Sequence, residues 1–192
     1  MSILQTLLLA ARWHRLYTLC LFVWGSFHPS FHTEHPKPNA VALASAIADA
    51  TLVDPAPVFG DAEHEAAVAA AYAVRESWLV SNAVGDGGEA HGFFQLHQAA
   101  GNGTPAAQTA AWLRLLHDGA VICPTSPAGP LSGGCNSARK LANRRVKAAF
   151  EALDSFERQE VPIDANAAVS QTSAAAPAEA AAVSAGGAYA PL

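Results

Sequence analysis

The residue with the strongest chemical signal in this sequence is Glu76, an acid near the end of a predicted apolar helix. Its neighbours one helical turn away include Tyr72, Ala73 and Val80, so its carboxyl group is expected to be partly removed from water. The negative end of the helix dipole also lies nearby. Both effects raise the pKa of a carboxyl group. An acid that keeps its proton near neutral pH can protonate the oxygen of a glycosidic bond.

Two short segments after this helix contain further residues that suit sugar chemistry. Asp86 lies in a glycine-rich loop, where it is either part of a site or a turn aspartate that caps its own loop. Gly92 allows a close approach of the chain, and the amide of Gln95 can donate to and accept from sugar hydroxyl groups. Phe93 offers a flat apolar face on which a sugar can stack. Together these residues predict a carbohydrate-binding cleft beside the acid.

These segments resemble the catalytic region of the lysozyme-like superfamily, particularly soluble lytic transglycosylases and goose-type lysozymes. The matching pieces follow in the family's order: Glu76-Ser77, Asn82-Ala83-Val84 and Gly92-Phe93-Phe94-Gln95-Leu96. The resemblance covers about residues 40–120 and includes one extra residue in the loop at 85–88. The family's downstream tyrosine-asparagine-alanine-glycine segment is absent, so the contacts with substrate on the far side of the cleft are not assigned.

The resemblance implies a mainly α, lysozyme-like helical domain that cleaves peptidoglycan between N-acetylmuramic acid and N-acetylglucosamine. Glu76 would be the single essential acid and base, Ser77 would contact the bound sugar, and Gln95 would line the cleft. In a transglycosylase the glutamate protonates the leaving oxygen and then takes the proton of the muramic 6-hydroxyl, which closes a 1,6-anhydro ring. In the hydrolytic relatives an aspartate positions a water molecule, and Asp86 is the candidate for that role.

A second interpretation of the same residues stays open. Glu76 could be an exposed or salt-bridged acid at a helix end, paired with Arg75 or Arg114. The chain would then be a non-catalytic glycan-binding or structural module that retains the fold. Such a module would bind glycans without cleaving them, and its binding would survive the substitution Glu76→Gln.

Apolar periodicity and capping residues predict the elements that position these groups. We expect helices over residues 39–52, 62–80, 105–119 and 137–158. Asp61 is a suitable N-cap for the second helix, and Thr104 followed by Pro105 is a suitable start for the third, which Gly119 is expected to end. In the last helix, Arg139 and Arg144 are expected on a solvated face, and contact with anionic peptides of the cell wall is the alternative.

The two ends of the chain differ in composition from its centre. Residues 1–27 combine a basic patch with an apolar run, which predicts a signal peptide or a membrane anchor. Residues 28–38 are rich in proline and histidine and predict a linker, so the catalytic domain is expected over residues 39–160. Residues 161–192 are mainly alanine, serine and proline, which predicts a flexible, disordered tail.

Composition and charge narrow the class of partner. The net charge of −5 at pH 7 argues against an electrostatic nucleic-acid binder. Cys123 and Cys135 are the candidates for a disulfide, which would agree with export, and two reduced cysteines are the alternative. The sequence predicts no cofactor and no metal site. We expect a monomer that acts on peptidoglycan strands outside the cytoplasm, whether periplasmic, secreted, membrane-anchored or associated with a virion.

Overall fold

The computed structural model describes residues 2–27, 37–97, 101–136 and 138–160. Its helices are α1 (Ile3–Phe27), α2 (Pro38–Leu52), α3 (Ala62–Ser77), α4 (Pro105–Ile122) and α5 (Arg139–Glu160). A small antiparallel sheet has the strand order β1 (Val84–Gly85), β2 (Ala90–His91) and β3 (Leu96–His97). The expected mainly α fold class is confirmed.

Helix α3 is buried along nearly its whole length and is contacted by α1 and α2. Most of its side chains are alanines, which are small enough for neighbouring helices to approach closely. The predicted N-cap is confirmed, since Asp61 accepts a hydrogen bond of 2.8 Å from the backbone N–H of His64. The helix ends earlier than expected because Trp78 and Leu79 take left-handed φ angles of 54° and 60°. Glu76 therefore lies in the last turn of α3.

Helix α1 belongs to the packed core, so the prediction that the folded domain begins at residue 39 is wrong. Leu16, Leu19 and Trp24 are fully buried, and the indole N–H of Trp24 donates a 2.8 Å hydrogen bond to the carbonyl of Ala70 in α3. A short apolar run predicts a signal segment and a buried helix equally well, which explains the error. Whether residues 1–27 also direct export stays a prediction.

The N-terminal half of α1 contrasts with this buried half. Ile3, Leu4, Leu7 and Leu8 are all more than half exposed. Among the described residues, no helix is both long enough and apolar enough to cross a bilayer. Most of the predicted linker, residues 28–36, and the predicted tail at 161–192 lie outside the described residues.

The small sheet was not predicted, because each of its strands is only two residues long and carries no readable alternation. Val84 pairs with His91 in β1 and β2, and Ala90 pairs with His97 in β2 and β3. This pairing folds residues 84–97 into a ribbon that follows the end of α3. The ribbon brings the loop and the segment that the sequence analysis selected to the same place as Glu76.

Helix α4 starts as predicted and ends later than predicted. The hydroxyl of Thr104 accepts a 3.3 Å hydrogen bond from the N–H of Ala107, which confirms the cap. Gly119 does not end the helix, which continues to Ile122. Its missing side chain has a packing role instead, since a Cβ at Gly119 would overlap the carbonyl of Pro127. Gly119 therefore allows a close approach of another part of the chain and does not mark the end of the helix.

A disulfide joins Cys123, at the end of α4, to Cys135, with the two Cα atoms 5.5 Å apart. The loop between them contains a 3₁₀ turn at Pro130–Ser132 that contacts α4. The bridge therefore restrains the segment that faces the end of α3 across a cleft.

Candidate active site

A cleft of about 920 Å³ opens beside the end of α3. The cleft is lined by Glu76 and by Asp86 and Gln95 of the ribbon. It is also lined by Ser132 of the disulfide loop and by Arg145 of α5. Three of the predicted site residues therefore share one cleft, which is large enough for a few sugar rings.

Glu76 is mostly buried in this cleft and forms an ion pair with Arg145. The side chains of Glu76 and Arg145 are only 20% and 15% exposed. Burial raises the pKa of Glu76, and the negative charge of Asp86 raises it further. Arg145 opposes this through its charge and its hydrogen bond, and the net direction of the pKa is upward. The raised pKa that the sequence predicts for Glu76 therefore has desolvation as its main cause.

Arg145 is held in place by two further contacts. Its guanidinium lies 5.0 Å from the centre of the Tyr72 ring, and its Nη1 donates to the hydroxyl of Ser132 at 3.4 Å. The hydroxyl of Tyr72 in turn lies 3.0 Å from the Ser132 hydroxyl and donates to the carbonyl of Ala128 at 3.2 Å. This network connects α3 and α5 to the disulfide loop.

The sequence analysis missed Arg145 as a partner of Glu76 and considered Arg75 and Arg114 instead. Arg75 lies over the ring of Phe27 at 4.9 Å. The expected solvated face of α5 is present, since Arg139 is exposed. Arg145 differs from its basic neighbours only in the face of the helix that it occupies. No local pattern could have paired it with an acid 69 positions earlier.

Gln95 lines the cleft as expected, and its side chain has a defined orientation. Its Nε2 donates hydrogen bonds to the carbonyls of Gly92 and Ala83, at 2.9 and 3.2 Å. Both amide hydrogens therefore hold the turn together. The carbonyl oxygen Oε1 lies against Gly85, where a Cβ would overlap it, so Gly85 leaves room for the Gln95 amide.

Phe93 and Ser77 do not have the binding roles that were predicted for them. Phe93 is fully buried, so it offers no face to a sugar. Ser77 is also buried, and its hydroxyl donates 3.1 Å to the carbonyl of Ala73 within α3. The aromatic residue that lines the cleft is Phe94, which stacks on Trp112 with ring centres 5.4 Å apart.

Gly92 acts through the backbone rather than by contacting the cleft directly. It has a φ of 77°, and a Cβ at this position would overlap the side-chain amide of Gln108 and the carbonyl of Gly101. Gln108 accepts a 2.7 Å hydrogen bond from the N–H of Phe93. Gly92 therefore lets the turn that holds Gln95 pack against α4.

Asp86 lies on the open side of the cleft and its side chain is 71% exposed. One of its carboxylate oxygens is 3.2 Å from Nε2 of His97.

Four non-glycine residues with left-handed φ lie close together in the described sequence: Trp78, Leu79, Asp86 and Gln95. Such conformations are costly, and two of these residues, Asp86 and Gln95, line the cleft, as is typical of functional sites.

Comparison of the chain with protein-family models, with curated proteins and with solved structures finds no match. The resemblance to the lysozyme-like superfamily therefore depends on the motif residues alone, and it stays a prediction.

One group of described residues outside this cleft has the composition of a metal site. Asp54, Glu65 and His117 each offer a ligand atom, and these atoms lie within 4.8 Å of one another. No metal site was predicted from the sequence, because the sequence contains no matched second pair of ligands.

Proposed function

We propose that this protein cleaves the β-1,4 glycosidic bond of peptidoglycan, as a lytic transglycosylase or a lysozyme, with Glu76 as the general acid and base. The observation that supports this most is the position of Glu76. It is a desolvated carboxyl group with a raised pKa, in a cleft that it shares with Gln95. General acid catalysis of glycoside cleavage requires an acid of this kind.

The chemistry begins with Glu76 in its protonated form. The acid transfers its proton to the bridging oxygen while the bond to the muramic carbon breaks. The carboxylate then takes a proton from the muramic 6-hydroxyl as its oxygen closes the anhydro ring, or from a water molecule that attacks the same carbon. In both cases Glu76 regains its proton and the site returns to its starting state.

Arg145 has a defined place in this cycle. Burial favours the protonated form of Glu76 that is needed before the bond breaks, and Arg145 stabilises the carboxylate that exists after proton transfer. The opposing effects keep the proton transferable in both directions. Without Arg145, the carboxylate formed after proton transfer would be less stable and the pKa of Glu76 would be higher.

The same ion pair also favours a second candidate function. A guanidinium bound directly to a carboxylate stabilises the ionised form, as in a structural ion pair. On that interpretation the protein is a non-catalytic module that binds glycan strands in the cleft. The two functions differ in whether covalent bonds of the glycan are broken.

Digestion of purified peptidoglycan, followed by separation and mass spectrometry of the soluble fragments, tests the proposal. We expect soluble muropeptides from the wild-type protein, with 1,6-anhydro ends from a transglycosylase and reducing ends from a lysozyme. Glu76→Gln should reduce their release by about 10²–10⁴-fold while the circular dichroism spectrum is unchanged. Activity that persists in Glu76→Gln would refute the role of Glu76. Sedimentation with peptidoglycan without any release would support the binding module instead.

The proposed substrate requires the protein to act outside the cytoplasm. The Cys123–Cys135 disulfide supports this location, because such bridges persist mainly in oxidising compartments. The exposed leucines in the first half of α1 are compatible with attachment to a membrane surface. To test this part of the proposal, the export of a tagged full-length chain is compared with that of a chain that lacks residues 2–15.

A further inference from the structure

A cluster of three ionisable side chains lies where α2, α3 and α4 meet, away from the cleft. Asp54 follows the end of α2, Glu65 is in the first turn of α3, and His117 is near the end of α4. Glu65 and Glu76 are eleven positions apart in α3, which corresponds to about 16 Å along the helix. The cluster therefore has no direct part in the chemistry proposed for Glu76.

The contacts of Asp54 orient it towards the other two groups. One oxygen of Asp54 accepts a 2.9 Å hydrogen bond from the N–H of Ala56, and the other lies 2.7 Å from Nε2 of His117. The side chain of Asp54 is only 8% exposed, and that of His117 is 38% exposed. One edge of the cluster therefore remains open to solvent through the imidazole.

Glu65 is the member of the cluster that lacks a full set of partners. It is fully buried, and its Oε2 accepts a 2.8 Å hydrogen bond from the N–H of Val58. Its Oε1 is buried and accepts no hydrogen bond from the described residues, and Glu65 forms a hydrogen bond with Asp54 only when one of the two carboxyl groups carries a proton. A buried carboxylate oxygen in this condition is costly unless a cation or a proton satisfies it.

We propose that Asp54, Glu65 and His117 bind a divalent transition-metal ion, with Zn²⁺ as the best-fitting ion. Two carboxylate oxygens and one imidazole nitrogen form a ligand set that zinc accepts, and water can occupy the fourth position on the exposed side of His117. Ligand atoms about 2.0–2.2 Å from a tetrahedral zinc are roughly 3.4 Å apart. The ligand atoms of this cluster lie within 4.8 Å of one another, and the 2.7 Å contact between Asp54 and His117 must open to admit the ion.

The charge of the cluster agrees with a cation. Asp54 and Glu65 bring two carboxyl groups together in a largely buried site, and a cation bound between them would remove their mutual repulsion. Zinc would replace a proton shared by the two carboxyl groups, and that proton would pass to solvent. The ion would then connect three helices and stabilise the folded state, which is a structural role.

The test is a titration of the full-length protein with ZnCl₂ after removal of metals with a chelator. Isothermal titration calorimetry should show one Zn²⁺ bound per cluster, and a zinc concentration of about 100 times the Kd should raise Tm by about 5–10 °C. His117→Gln should weaken this binding event at least about tenfold, which at the same zinc concentration should reduce the rise in Tm by about half or more.

His97→Gln is the matched control, because His97 is also exposed and paired with a single carboxylate. This variant should bind zinc as the wild type does.

Glu65→Gln keeps the shape of the buried side chain and should lose the same binding event. Zinc held by histidines outside the described residues would survive both His117→Gln and Glu65→Gln. Wild-type affinity and Tm response in those two variants would therefore overturn the proposal, and so would the absence of any binding in the wild type.

Discussion

Arg145 of α5 forms an ion pair with Glu76 at the end of α3, although 69 positions separate the two residues in the chain. The pair closes one side of the candidate cleft, and it opposes the effect of burial on the Glu76 pKa. Two helices, α3 and α5, therefore jointly determine the protonation of the proposed catalytic acid.

The first prediction concerns the pH dependence of cleavage in Arg145→Gln. Removing the guanidinium leaves burial and Asp86 without opposition, so the pKa of Glu76 should rise. Because the protonated acid is the active form, the alkaline limb of the kcat/KM profile should move to higher pH. The measurement is the rate of muropeptide release between pH 4 and 10. A limb that moves to lower pH would contradict this account of the ion pair.

The same variant should also lose stability. Glu76 would remain mostly buried without its ionic partner, and the loss is expected to be about 1–3 kcal/mol in the free energy of unfolding by urea. Arg144→Gln, which removes a charge from the exposed neighbour on α5, is the control and should change stability by less than about 0.5 kcal/mol.

The second prediction is that Asp86→Asn shifts the profile in the opposite direction. The negative charge of Asp86 raises the pKa of Glu76, so its removal should lower that pKa and move the alkaline limb to lower pH. Asp86 is exposed, so the shift should shrink as the salt concentration rises. An unchanged profile at low salt would show that the two carboxylates do not interact.

The products of Asp86→Asn also distinguish the two proposed reactions. If Asp86 positions water for hydrolysis, release of fragments with reducing ends should fall by at least about tenfold. If the anhydro product forms, Glu76 alone carries the acid and base steps, and the yield should remain within about twofold at the optimal pH. Mass spectrometry of the fragments measures both quantities.

Local signals in the sequence predicted about half of the site. The cap at Asp61 and the alanine-rich run predicted α3, and with it the position of Glu76 in the last turn of that helix. The turn around Gln95 was also predicted, since glycine, amide and aromatic residues occur together there. What these signals could not predict is which of two adjacent aromatic residues faces the cleft. That choice depends on the φ of Gly92 and on packing against Gln108.

The rest depended on contacts between distant parts of the chain. Arg145 is chemically identical to its exposed neighbour Arg144, and only the packing of α5 separates them. Asp54 and His117 are 63 positions apart, so no spacing pattern could mark them as a cluster. Helix α1 was misjudged for a related reason, because burial in a protein core and insertion into an export pathway select the same apolar residues.

The third prediction concerns the disulfide between Cys123 and Cys135. Replacing both cysteines by serine opens a loop of about a dozen residues, which should cost about 3 kcal/mol of stability and lower Tm by about 6–12 °C. Reduction of the wild-type protein should reproduce the effect, and the reductant should leave the double variant unchanged. Equal Tm values for the oxidised and reduced wild type would show that the bridge is not formed or contributes nothing.

The fourth prediction compares two glycines that share a left-handed φ and differ in their surroundings. Gly87 has a φ of 69° and open space where a Cβ would lie, so Gly87→Ala should cost only about 1–2 kcal/mol from backbone strain. At Gly92 a Cβ would also overlap Gln108, which is buried and bonded to the N–H of Phe93. Gly92→Ala should therefore cost about 2–5 kcal/mol in urea unfolding. The displaced turn carries Gln95, so cleavage by Gly92→Ala should fall at least about tenfold at temperatures where the variant is still folded. Equal losses in the two variants would mean that only the backbone conformation matters at Gly92, and that the contact with Gln108 does not position the cleft.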